Sequence, residues 1–186
     1  MPATGREARL RAMTAKGFTL VEILMVIALL GVMLVAGMPS FQAFITKTRI
    51  SGATNEFLGD LSYARSEAAT RQVEVAICTS ADQATCASGG NWADGRIIFV
   101  DTNADGAVSV GETVLRVSQP MTGTTVTVSG FGATDILRFR PFGGLRPATA
   151  GSFRLCPPAP AAGGEGRQLA VATTGRPLIS KVTTCP

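Results

Sequence analysis

The chain has 186 residues, 46% of them hydrophobic, with a formal net charge of +4, four cysteines and no histidine. The missing histidine excludes Ser-His-Asp and Cys-His nucleophiles, imidazole bases and His-ligated metals; with no other catalytic constellation in view, the chain is read as a non-enzyme. The length suits one globular domain plus an anchor. Charge is uneven, because residues 72–134 carry two basic and six acidic side chains while residues 135–186 carry seven basic and two acidic ones.

The first element is an apolar run from Phe18 to Met38, broken by Thr19 and Glu22. About 21 helical residues span roughly 31 Å, enough to cross a hydrocarbon core. Arg6, Arg9, Arg11 and Lys16 precede it, opposed by Glu7. The positive-inside rule then keeps the N-terminus cytoplasmic and sends the rest outward. Glu22 is costly in such a place unless it lies at headgroup depth or meets a positive partner. Cleavage after Gly17 would create that partner, the α-ammonium of Phe18 in the same or a neighbouring copy.

Helical periodicity continues beyond Pro39, which bends a helix without necessarily ending it. Phe41, Phe44 and Ile45, then Phe57, Leu58, Leu61, Ala64 and Ala68, recur at three and four. One helix is expected over 19–71, apolar all round in its first half and amphipathic in its second. After Arg71 the period changes to two. Strands are expected at 73–78, 96–101, 112–118, 125–129, 135–140, 152–156, 168–174 and 178–183, separated by Gly- and Pro-rich stretches such as "PPAPAAGGEG" (157–166), read as a mobile loop. The fold class is α+β, a long N-terminal helix packed on an antiparallel β-sheet head. Trp92 is read as a packing residue at a strand start.

The stretch "KGFTLVEILMVIALLG" resembles the prepilin signature of type IV pilins and type II secretion pseudopilins: a basic leader ending in glycine, then Phe, Thr-Leu-x-Glu and an apolar helix. The resemblance implies cleavage by prepilin peptidase between Gly17 and Phe18, N-methylation of Phe18, and assembly guided by Glu22 against the Phe18 amine of an adjacent subunit. Pro39 matches the helix-kink proline of many pilins. Downstream, "NWADGRIIFVDTNADGAVSVGETVLRVS" is similar to the GspH/FimT group of minor pilins and pseudopilins. The implied organisation is a cleaved leader at 1–17, a helix at 18–71 spanning the membrane over about 18–38, and a β-rich head at 72–186. The implied function is initiating or capping a type IV pilus or a type II secretion pseudopilus. Its partners would be other pilin or pseudopilin subunits, the processing peptidase/N-methyltransferase and the bacterial inner membrane, with the head periplasmic before assembly.

Three further sets of residues invite chemistry. Cys78, Cys86, Cys156 and Cys185 fall on the extracytoplasmic side, where an even count points to two disulfides. Three pairings are open, and Cys78–Cys86 with Cys156–Cys185 is the preferred one. The loop Asp101, Asn103, Asp105, Ser109 and Glu112, with Gly106 at its sixth position, has calcium-loop spacing. Strand-like flanks favour a hairpin turn; Ca²⁺ is the alternative, and no other cofactor is expected. The basic C-terminal half could meet DNA phosphates or an acidic neighbour. "TGRPLISK" resembles the C-terminal Gly-Arg-x-Arg region of DNA-binding FimT proteins of natural transformation, departing at Leu178. On that reading Arg176 and Lys181 would contact DNA, making a DNA-uptake minor pilin the alternative function.

Overall fold

The structure, a computed structural model, describes residues 17–132, 135–158 and 165–185, with the side chains of 35–37, 39 and 40 outside that description. Residues 1–16 of the expected leader and 159–164 of the expected mobile loop therefore lie outside the described residues, as does the side chain of Pro39, whose backbone is helical.

Helix α1 runs Leu20–Arg71. Its start is set by Thr19, whose hydroxyl accepts the Glu22 amide at 3.3 Å, the N-cap half of a Thr-x-x-Glu box. Its end comes where Gln72 turns left-handed at φ 57°, with the Gln72 side chain donating to the Ala69 carbonyl at 2.6 Å. The chain forms two compact units, residues 1–42 and 43–186.

In the first unit the described side chains of α1 from Leu20 and Val21 through Met33 and Leu34 are exposed and, Glu22 apart, apolar on all sides. Taken over the described residues, no helix is long and apolar enough to cross a membrane; the fully described apolar stretch ends at Leu34, short of the expected 18–38 span.

In the second unit, α1 buries a stripe made by Ile50, Thr54, Phe57, Leu61, Ala64 and Ala68, spaced at three and four as one helix face requires. Thr54 is tolerated there because its hydroxyl donates to the Ile50 carbonyl at 2.7 Å. The expected single sheet is two antiparallel sheets. The first is ordered β3(Val114–Ser118), β2(Arg96–Val100), β1(Val75–Thr79), β5(Ile136–Phe139), β6(Leu145–Arg146). The second is ordered β4(Thr125–Gly130), β7(Gly151–Cys156), β8(Gly166–Val171), β9(Pro177–Val182). The two-residue β6 is too short to show a period in sequence.

The main core joins the helix stripe to one face of the first sheet (Val75, Ile77, Ile98, Leu137, Phe139) and to Phe153, Leu155, Leu169 and Val171 of the second. Trp92 lies in it, 5.5 Å from the Phe57 ring and 4.9 Å from Phe153. The opposite face of the first sheet is also covered. Ala76, Cys78, Ile97 and Phe99 form a second cluster against Cys86, Val108 and Ile136. β1 and β2 are consequently buried at every position.

Disulfides join Cys78 to Cys86 and Cys156 to Cys185, with Cα separations of 5.6 and 5.7 Å. Gly166 must be a glycine because a Cβ there would lie 2.6 Å from the Cys185 sulfur and 2.8 Å from the Leu155 carbonyl.

A buried ion pair ties α1 to the first sheet. Arg96 is fully buried and donates to Asp60 Oδ2 through Nε at 3.1 Å and Nη2 at 2.8 Å. Glu56 at 3.2 Å and the Trp92 carbonyl at 3.2 Å take further donors, and the guanidinium carbon lies 4.6 Å from the Phe57 ring centre. Ser118 donates to the same Asp60 oxygen at 2.8 Å. As an isolated carboxylate on a helix Asp60 belongs in water, yet it is 2% exposed.

Candidate functional site

The N-terminal end is built by the start of α1. Gly17 and Phe18 are exposed and precede the helix. Glu22 stands in its first turn, where the unsatisfied amides and the helix dipole favour a negative charge. The Thr-x-x-Glu spacing, which signals a capping box, gives Glu22 a local role at the helix start besides its charge. Only half of the box is made. The backbone amide of Glu22 is capped, while its carboxylate makes no hydrogen bond or ion pair among the described residues. Phe18, Glu22, Ile23, Val26 and Ile27 line one shallow hollow, so an acid sits in an otherwise apolar surface.

The loop between β2 and β3 carries the second candidate. Carboxylate oxygens of Asp101, Asp105 and Glu112 lie within 4.8 Å of one another. Glu112 closes the loop, accepting from the Thr102 amide at 2.8 Å, the Thr102 hydroxyl at 3.1 Å and the Ser109 amide at 3.0 Å. Asp105 accepts from Asn103 Nδ2 at 2.8 Å, the Ser109 hydroxyl at 3.0 Å and the Ala107 amide at 2.8 Å. Those donors, led by the Ala107 amide, hold the Asp105 pKa below its ordinary value.

Asp101 is different. It is 1% exposed, and among the described residues neither carboxylate oxygen has a donor in good hydrogen-bond geometry, the Gly106 amide being near but poorly placed. Arg138 Nε stands 3.4 Å from Oδ2, outside good hydrogen-bond geometry, and makes no other bond. Burial pushes the Asp101 pKa up, opposed in part by the Gly106 amide and Arg138.

The basic face is less concentrated than its sequence suggests. Arg138 pairs with Asp101, and Arg146 with Glu74 at 3.0 Å. Part of the opposite charge of the two segments is thus matched inside the head. Arg176 immediately precedes β9 and Lys181 lies within it, with Pro177 opposite Val171 and Lys181 opposite Arg167. Five residue steps of extended chain place them about 16 Å apart, and they form no cluster. Arg140, Arg154, Arg176 and Lys181 are exposed and make no ion pair among the described residues.

A long N-terminal helix with an acid in its first turn, carrying a two-sheet antiparallel head, defines a pilin-like protein. The comparisons agree. A model of the family "Type II transport protein GspH" matches residues 53–175, and a "Prokaryotic N-terminal methylation motif" matches residues 13–38. The chain belongs to the GspH family of minor pilins and pseudopilins. Among solved structures it is similar to the type IV minor pilin FimU of Pseudomonas aeruginosa in two crystal forms. In the first the identity is 26% and the TM-score 0.58, covering 77% of this chain and 99% of FimU. In the second they are 25% and 0.53, covering 74% and 100%. A search of curated protein sequences found no match.

Proposed function

We propose that this protein is a filament subunit made as a membrane-anchored precursor, cut between Gly17 and Phe18, N-methylated at Phe18, and assembled into a type IV pilus or type II secretion pseudopilus as an initiating or capping subunit. The observation that carries the reading is the Glu22 carboxylate beside Phe18, without a partner among the described residues and set in an exposed apolar helix within the methylation-motif match. An exposed surface so apolar needs lipid or neighbouring helices to cover it. The sequence 18–38 supplies the membrane span and residues 1–17 the cytoplasmic leader. The head of 72–186 stays outside the cytoplasm, where its two disulfides persist. In the assembled filament, Glu22 of one copy would neutralise the Phe18 ammonium of the next, removing two isolated charges from an apolar core.

The scattered basic residues do not favour DNA capture over this structural role. Mass spectrometry of sheared filaments and of washed membranes tests the reading. The expected chain begins at methylated Phe18, and Glu22→Ala is processed but lost from filaments. A chain retaining residues 1–17, or normal incorporation of the variant, overturns it.

A further inference from the structure

We propose that the 101–112 loop binds one calcium ion, held by the carboxylates of Asp101, Asp105 and Glu112, with side-chain oxygens of Asn103 and Ser109 adding to the shell. The proposal is independent of the assembly reading.

Two separate observations meet at this point. One is the cluster itself, three carboxylates from one loop converging within 4.8 Å. The other is Asp101. A buried carboxylate ordinarily accepts hydrogen bonds on both oxygens, because leaving them bare forfeits hydration without replacement. Here both oxygens are buried and, among the described residues, meet no donor in good hydrogen-bond geometry, the Arg138 ion pair at 3.4 Å notwithstanding, and they lie close to the two other acids. Asp105 and Glu112 already accept donors from the loop, but each carboxylate has about four lone-pair sites, so capacity remains for a cation.

Charge points the same way. Among the described residues, one guanidinium, Arg138, is paired with the cluster, at 3.4 Å from Asp101. Three carboxylates against one cation leave two negative charges, which a divalent ion neutralises. The donor set is all oxygen, and the cysteines are disulfide-bonded with no histidine in the chain. Zinc and other soft-ligand metals are therefore poorly served, while a hard ion is well served. A flexible shell of carboxylates and side-chain carbonyl or hydroxyl oxygens suits calcium, which accepts six to eight ligands, better than magnesium, which demands a near-ideal octahedron.

The turn that brings the acids together depends on Gly106. Its φ is +77°, and a Cβ there would lie 2.6 Å from the Arg138 guanidinium and 2.9 Å from Ile136. The same loop delivers Val108 to the second hydrophobic cluster. A bound ion would therefore brace the cover of the first sheet's outer face.

The test is calorimetric and thermal titration of the full-length chain in detergent, freed of metal by a chelator, with CaCl₂ and, separately, MgCl₂. Wild type is expected to bind one calcium ion with affinity in the submillimolar-to-millimolar range of extracellular sites. Its Tm should rise by roughly 5–10 °C at a hundredfold excess over Kd. Asp101→Asn, isosteric and without the charge, should lose the response, as should Glu112→Gln. Silence of wild type at roughly ten millimolar calcium, far into that range, overturns the site. So does an Asp101→Asn variant that responds as wild type does. An equal magnesium response overturns the assignment to calcium.

Discussion

Replacing Asp60 by alanine should be among the most damaging single changes in the head. Arg96 is fully buried, and Asp60 supplies both of its shortest hydrogen-bond contacts in the ion pair, at 2.8 and 3.1 Å. The substitution leaves a guanidinium held by the half-exposed Glu56 and by one carbonyl, and it strands the Ser118 hydroxyl. Removing one partner of a buried pair costs about 3–5 kcal/mol. For a chain of this size that lowers Tm by about 6–20 °C. Replacing both members, Asp60→Leu with Arg96→Met, should cost far less than the two single changes together, since no charge is then left buried. Urea unfolding followed by the fluorescence of the single tryptophan, Trp92, which stacks in the core beside Phe57, reads the head directly. The reasoning is refuted if Asp60→Ala loses less than about 1 kcal/mol, or if the double variant loses the sum of the singles.

The two disulfides should differ in worth. The Cys156–Cys185 loop spans 29 residues and the Cys78–Cys86 loop 8, so chain entropy assigns them about 3.6 and about 2.5 kcal/mol. Paired Cys→Ser variants should show the larger fall in urea midpoint at 156/185, and the reverse order would reject the entropic account. Asp82, inside the shorter loop, has its pKa held far below the ordinary 3.8 by the Thr85 hydroxyl and amide, then by the Ala84 amide and the Ser80 hydroxyl. A depressed folded pKa means stability that is present above the unfolded value and lost as pH falls through the folded one. The gap in urea midpoint between wild type and Asp82→Asn should therefore be constant above about pH 5 and shrink below about pH 4; a gap that stays constant at low pH would remove Asp82 from the acid limb.

What the sequence determined by itself is what nearest neighbours along the chain decide. The Gly17-Phe18 junction, Glu22 and the apolar helix are contiguous, and the family is legible there. The amphipathic stripe of α1 and all the strands but β6 follow from periods of 3.6 and 2. The oxygen spacing of the 101–112 loop is equally visible, because a turn is a local object. The tertiary structure decided what depends on which distant groups leave water together. Two sheets replace one because β4 pairs with β7 instead of extending the first sheet. β1 and β2 lose their alternation because both their faces are covered. Cys156 could have met any of three partners, and β7 and the C-terminus bring Cys185 to it. Asp60 and Arg96 are 36 positions apart, and as isolated charges each reads as solvent-facing; only their mutual neutralisation lets both be buried. Arg138, within the basic C-terminal half, is drawn to Asp101, and the same burial leaves the Asp101 carboxylate without a well-placed hydrogen-bond donor among the described residues. Desolvation is a property of the assembled core, so no local pattern of residues could announce it.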